Sequence, residues 1–93
     1  MSHDEVRQSV VIINQRGLHA RAASKFVKLV TEYNVDIKVV KDATIVSGKS
    51  ILGLMMLAAG PGTEIELIAQ GQQAAVALDA LIELIQNKFE EEN

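Results

Sequence analysis

Asn14-Gln15-Arg16-Gly17-Leu18-His19-Ala20-Arg21-Ala22-Ala23 joins two segments of different periodicity. Upstream, Val10-Val11-Ile12-Ile13 is a strand-like apolar run. Downstream, Ala22, Phe26 and Leu29 recur at helical spacing, with Arg21, Lys25 and Lys28 on a second stripe. Asn14 to Gly17 therefore reads as a turn, and His19 falls where the chain enters a helix. The first N–H groups of a helix lack internal partners, and the aligned peptide dipoles place partial positive charge there. An imidazole at that end, with a guanidinium two residues on, adjoins a site suited to a phosphate-like anion. A positive environment disfavours imidazolium, so the ring is read as a neutral nucleophile. Nucleophile and anion cradle together point to a histidine that carries a phosphoryl group. The same residues also suit a plain helix cap, with Arg21 a solvated surface charge.

Composition narrows the alternatives. Ninety-three residues suit one small domain with a single core. At 48% hydrophobic and 23% charged, the chain is globular in composition. Aromatics make up only 3%, so the core is aliphatic and no stacking platform for single-stranded nucleic acid exists. A net charge of -3 also argues against nucleic-acid binding. Cysteine is absent, which removes disulfides, thiol catalysis and cysteine-based zinc sites, and two distant histidines make no metal site. No signal peptide and no apolar run long enough to span a bilayer is evident, so a cytoplasmic location without membrane insertion is expected. Charge is uneven. No acid lies between Glu5 and Glu32, where Arg7, Arg16, Arg21, Lys25 and Lys28 occur, whereas seven acids face only Lys88 from Glu64 onward. The basic segment coincides with the proposed anion site and can steer an acidic partner.

Taken in order, Met1 to Asp4 is expected to be loose, with His3 a terminal residue and not a ligand. A first strand runs from about Glu5 to Ile13, and a first helix from about Ala20 to Tyr33, ended at Asn34. Val35 to Val39 and Thr44 to Val46 form a hairpin across Lys41-Asp42-Ala43. Ser50 N-caps a short helix, Ile51 to Ala58, that is apolar almost all round. Leu54 and Leu57 can pack on a sheet, which leaves Ile51, Leu52 and Met55 as a surplus apolar face: a docking surface, or a core element under a covering loop. Gly60-Pro61-Gly62 is a turn, Thr63 to Ala69 a fourth strand. Gln72 to Phe89 reads as the longest helix, with Ala74, Leu78, Leu81, Ile82, Ile85 and Phe89 on its buried stripe. Glu90-Glu91-Glu92 opposes that helix's dipole, so its end should fray. This order suits an α+β open-faced sandwich, a four-stranded mostly antiparallel sheet with three helices on one face.

Gly48-Lys49-Ser50 nearly completes a P-loop, but Ala43 occupies the place of the first glycine and the intervening residues are strand-like. No serine–histidine–acid set or carboxylate pair stands out.

Gly17-Leu18-His19-Ala20-Arg21 and, downstream, Gly48-Lys49-Ser50-Ile51-Leu52-Gly53-Leu54 together resemble the HPr family. These are the histidine phosphocarriers of the bacterial phosphoenolpyruvate-dependent phosphotransferase system. The resemblance covers nearly the whole chain, residues 1–93 as a single HPr-like domain. Ala20, Met55-Met56 and Phe89-Glu90-Glu91 also resemble the nitrogen-related branch. The resemblance implies sheet order 1-4-2-3. It implies that Nδ1 of His19 accepts a phosphoryl group from Enzyme I and passes it to an enzyme IIA-type acceptor, with Arg21 contacting the phosphoryl oxygens. Such a protein is a carrier with a covalent phosphohistidine intermediate and not a stand-alone enzyme, and it needs no cofactor or metal. By the same resemblance Ser50 is the target of an HPr serine kinase, so a regulatory binding module controlled at Ser50 is the alternative function. The implied partner surface takes in Ala20, Lys25, Ile51, Leu52 and Met55, and transient docking suits a monomer. One departure is Ala22, where the family commonly has proline; the alanine should loosen the first turn and tune kinetics.

Overall fold

The computed structural model describes residues 5–91, so Met1 to Asp4, including His3, and Glu92 and Asn93 lie outside the described residues. The elements are β1 (Glu5–Val11), α1 (Ala20–Thr31), β2 (Asp36–Lys41), β3 (Thr44–Ser47), α2 (Ile51–Met56), β4 (Glu64–Gln70) and α3 (Ala74–Gln86), followed by a 3-10 turn, Lys88–Glu90. The four strands form one sheet in the order β1-β4-β2-β3, with every pairing antiparallel.

Alternation along β4 explains why it sits inside the sheet. Ile65, Leu67 and Ala69 are buried on one face, and each meets an inward residue on a neighbour. Val10 lies opposite Ile65, Val39 opposite Leu67 and Ile37 opposite Ala69. Burying an aliphatic side chain of this size contributes about 1.5–3 kcal/mol, so a one-residue slip would expose the whole row. The helices cover that face. α1 contributes Ala22, Ala23, Phe26 and Val30, and α3 contributes Ala74, Ala77, Leu78, Leu81, Ile82 and Ile85. Leu54 and Leu57 close the α2 side as their spacing predicted.

The end of α3 differs from the sequence reading. The helix stops at Gln86, and Lys88, Phe89 and Glu90 take positive φ angles of 57°, 54° and 65°. This is one left-handed turn, closed by Glu90 N donating to Asn87 O at 2.9 Å and Glu91 N to Lys88 O at 3.0 Å. Left-handed backbone costs non-glycine residues about 1–2 kcal/mol each. Several contacts offset that cost. Phe89 is fully buried, worth about 1.5–3 kcal/mol, and Lys25 Nζ donates to Phe89 O at 2.8 Å. The helical stripe thus located Phe89 in the core but not the backbone that carries it. The expected fraying is also corrected: the side chain of Glu91 is fastened to His19 and Asn14, and these contacts outweigh an unfavourable dipole of a few tenths to 1 kcal/mol.

Phe89→Ala is expected to cost about 3–5 kcal/mol in urea unfolding, as for other buried aromatics. A loss below about 1 kcal/mol would mean that the turn is not anchored through this ring.

Candidate functional site

The site begins with a glycine. Gly17 has φ 64°, and a Cβ built on it would lie 2.4 Å from Ala59 O. Only glycine fits this conformation and approach without displacement. Gly17 N donates to Asn14 O at 3.1 Å, and Leu18 N donates to Ala59 O at 3.0 Å. The turn after β1 is thereby pressed on the segment between α2 and β4, and Leu18 is buried at the seam.

His19 follows as the extended N-cap of α1, with φ -73° and ψ 178°. Its carbonyl accepts from Ala23 N at 2.9 Å, and its own side chain makes no cap hydrogen bond. The amides of Ala20, Arg21 and Ala22 therefore have the unpaired status of first-turn donors. Nδ1 makes no hydrogen bond among the described residues, whereas Nε2 meets Glu91 Oε2. Asn14, fully buried, completes the arrangement: its Nδ2 donates to Gly17 O at 2.8 Å and to Glu91 Oε1 at 3.2 Å. The His19 and Glu91 side chains keep 16% and 13% of their surface exposed, so the ring is covered on one side but still reachable. Burial pushes the Glu91 carboxyl up, but the hydrogen bonds from His19 and Asn14, with the charges of His19 and Arg16, outweigh it and hold it below the ordinary glutamate value.

A depression of about 300 Å³ adjoins the ring, lined by Arg16, Leu18, His19, Met55 and Ala58 to Gly60. Cation, imidazole and methionine thus meet from three parts of the chain. Arg21 is exposed on the first turn of α1, does not line the depression and forms no ion pair among the described residues. Ala20 is exposed beside His19. Lys25 is drawn off to the left-handed turn, where Nζ also lies 3.3 Å from Glu90 Oε1. On α2, Ile51 (40% exposed), Leu52 (68%) and Met55 (40%) form an open apolar face that no loop covers among the described residues. Ser50 Oγ accepts from Gly53 N at 2.9 Å, confirming the cap.

The near P-loop is not a cradle. Thr44–Ser47 is β3, and Gly48 N donates to Ile37 O at 2.8 Å in a spot where a Cβ would strike Ile37. Among the described residues, no group of three histidine, cysteine, aspartate or glutamate side chains could hold a metal ion. No helix among them is long and apolar enough to cross a membrane. Three site residues escaped the sequence reading as such. Arg16 and Asn14 stood in the quoted stretch but no spacing rule singled them out, and Glu91 is 72 positions from His19.

An open-faced antiparallel sandwich presenting a histidine at an uncapped helix start, beside an exposed apolar helix, defines a small histidine-presenting α+β domain. The family model described as the phosphotransferase-system HPr component phosphorylation site matches residues 6–87. The Pseudomonas aeruginosa phosphocarrier protein HPr is 49% identical over 83 residues, covering 88% of this chain and 92% of that protein. The phosphocarrier protein NPr of Shewanella violacea is 42% identical, covering 94% and 96%. The crystal structure of HPr from Thermoanaerobacter tengcongensis superposes with a TM-score of 0.90 at 39% identity, covering 95% of this chain and 99% of that one. The chain belongs to the HPr family, the phosphocarriers of the phosphotransferase system.

Two outcomes follow from this geometry. Gly17→Ala should destabilise the domain by roughly 1–3 kcal/mol and shift the His19 ring resonances, because strain and collision fall on one residue; unchanged spectra would show that the seam tolerates a methyl. The second concerns pH. Glu91 has a lower pKa folded than unfolded, so its contribution is full above the ordinary glutamate value and is lost as pH falls through the lowered one. Amide hydrogen-exchange protection at residues 88–91, taken relative to the intrinsic rate at each pH, should therefore fall on acidification through that window, ahead of the sheet. Protection that stays flat until global unfolding would contradict the fastening role of Glu91.

Proposed function

We propose that the chain accepts a phosphoryl group from phospho-Enzyme I on Nδ1 of His19 and hands it to a histidine on an enzyme IIA-type acceptor. The observation that carries this reading is the state of the ring: Nδ1 without a partner among the described residues, at a helix start that the ring does not cap, on the rim of a depression that also holds Arg16. Unpaired first-turn amides and a guanidinium suit the oxygens of a phosphoryl group. Arg21, exposed and unpaired among the described residues, supplies a second cation able to swing onto the group once it is attached. The open face of α2, with Ile51, Leu52 and Met55, adjoins the histidine and suits transient docking of both donor and acceptor. Ala20 and the Lys25 stem extend that surface onto α1.

A carrier must also let go. A helix start contributes about 0.3–1 kcal/mol to a bound anion, and every 1.4 kcal/mol of added stabilisation shifts each transfer equilibrium tenfold. Two arginines and a few amides hold the group without trapping it.

Incubation with Enzyme I and phosphoenolpyruvate should add one acid-labile phosphoryl group, seen by mass spectrometry, and His19→Ala should abolish it. Label that persists in His19→Ala would refute the reading. Ser50→Asp keeps an oxygen able to cap Gly53 N but places a charge beside the apolar face of α2, so it should weaken Enzyme I binding about tenfold in a titration, the scale of one uncompensated charge at a docking surface. Equal affinity would show that Ser50 lies outside the docking surface.

A further inference from the structure

Glu91 lies beyond residues 6–87, the span the family model matches, yet its carboxylate closes on the proposed phosphoryl acceptor. Its two oxygens have separate tasks. Oε2 meets Nε2 of His19, and Oε1 accepts from Nδ2 of Asn14, a fully buried side chain already held to Gly17 O. The carboxylate is thus tied to the very turn that places the histidine. Its backbone is fixed as well, by the left-handed turn with Phe89 in the core and Lys25 on Phe89 O.

An ionised carboxylate only accepts hydrogen bonds. The ring nitrogen it touches must therefore carry the hydrogen, and in the neutral ring the lone pair is left on Nδ1. We propose that Glu91 is a positioning residue for phosphoryl transfer, fixing the tautomer of His19 with hydrogen on Nε2 and facing the charge the ring acquires. This rests on the reading of His19 as the acceptor. In the step, the Nδ1 lone pair forms the bond to phosphorus, while the bond from phosphorus to the donor breaks and its electron pair leaves with the donor. The hydrogen stays on Nε2, and the positive charge gained by the ring lies against the Glu91 carboxylate. On delivery a ring nitrogen of the acceptor histidine forms the new bond to phosphorus, while the Nδ1–phosphorus bond breaks and its pair returns to Nδ1. Carboxylates that orient metal-bound imidazoles in the same way change affinity or activity about 10–100-fold, which sets the scale expected here.

The test compares the wild-type chain with Glu91→Ala and Glu91→Gln. Nitrogen-15 shifts of His19, recorded at about pH 8, above the ordinary histidine range, report the tautomer without any Enzyme I. The wild type should show hydrogen on Nε2, and Glu91→Ala should show a substantial population with hydrogen on Nδ1. In the Enzyme I reaction Glu91→Ala should lower kcat about tenfold or more with KM little changed. Glu91→Gln keeps an acceptor oxygen for Nε2–H and retains the folded turn, so it should preserve the tautomer and still lose rate through the missing charge. An unchanged tautomer in Glu91→Ala, or wild-type rates in both variants, would overturn the proposal. A wild-type chain that takes no label from Enzyme I would overturn the carrier reading instead, whatever the nitrogen shifts show.

Discussion

The approach of Gly17 to Ala59 is the constraint on which the site depends. At a contact this close, a single added carbon would sit 2.4 Å from a carbonyl oxygen, so the turn after β1 can rest on the α2–β4 connection only through glycine. That contact fixes where Leu18 is buried, and Leu18 fixes where α1 starts. His19 becomes an N-cap with a free first turn because of this geometry, not because its own side chain caps anything. The placement of the His19 ring is thereby set by backbone packing two residues upstream of it.

The second organising feature is energetic. Three successive left-handed residues would not persist alone, since their cost of about 1–2 kcal/mol each exceeds what a single short turn returns. They persist because Phe89 fills the core and because Lys25 and the Glu91 side chain tie the segment to α1 and to the Asn14 turn. Stability and the electrostatics of the site are therefore coupled. A basic segment and an acidic one, far apart in sequence, meet at one imidazole. The ring's surroundings are consequently mixed: Arg16 on the depression side and a carboxylate on Nε2, where the local sequence led to an expectation of cations alone.

How far the sequence could be read follows from the range of each interaction. The alternation of Ile65, Leu67 and Ala69 is local, and so were the caps at Ser50 and the turn at Gly60-Pro61-Gly62; all appear where periodicity placed them. The split of α2 into buried Leu54 and Leu57 against open Ile51, Leu52 and Met55 was legible because the helix has more apolar faces than a small sheet can cover. The end of α3 was not. Helical spacing carries Phe89 onto the buried stripe whether the backbone is right- or left-handed there, so the pattern is blind to the change. Glu91 was hidden for another reason. Its partners are 72 and 77 positions away, and no spacing rule joins a carboxylate near residue 90 to a turn at residue 14. Arg16 and Arg21 flank the histidine alike in sequence, and only the fold distinguishes the one lining the depression from the one outside its lining.

Which ring nitrogen of His19 is available decides where a phosphoryl group can attach, and the chain labelled by Enzyme I would report that directly. In proton–phosphorus correlation spectra, a phosphoryl group on Nδ1 couples through three bonds only to Hε1 of the ring, whereas one on Nε2 couples to both Hε1 and Hδ2. With Glu91 occupying Nε2 and Nδ1 unpartnered among the described residues, a single correlation to Hε1 of His19 is predicted. Correlations to both ring protons would place the phosphoryl group on the nitrogen that Glu91 holds, and would contradict the account.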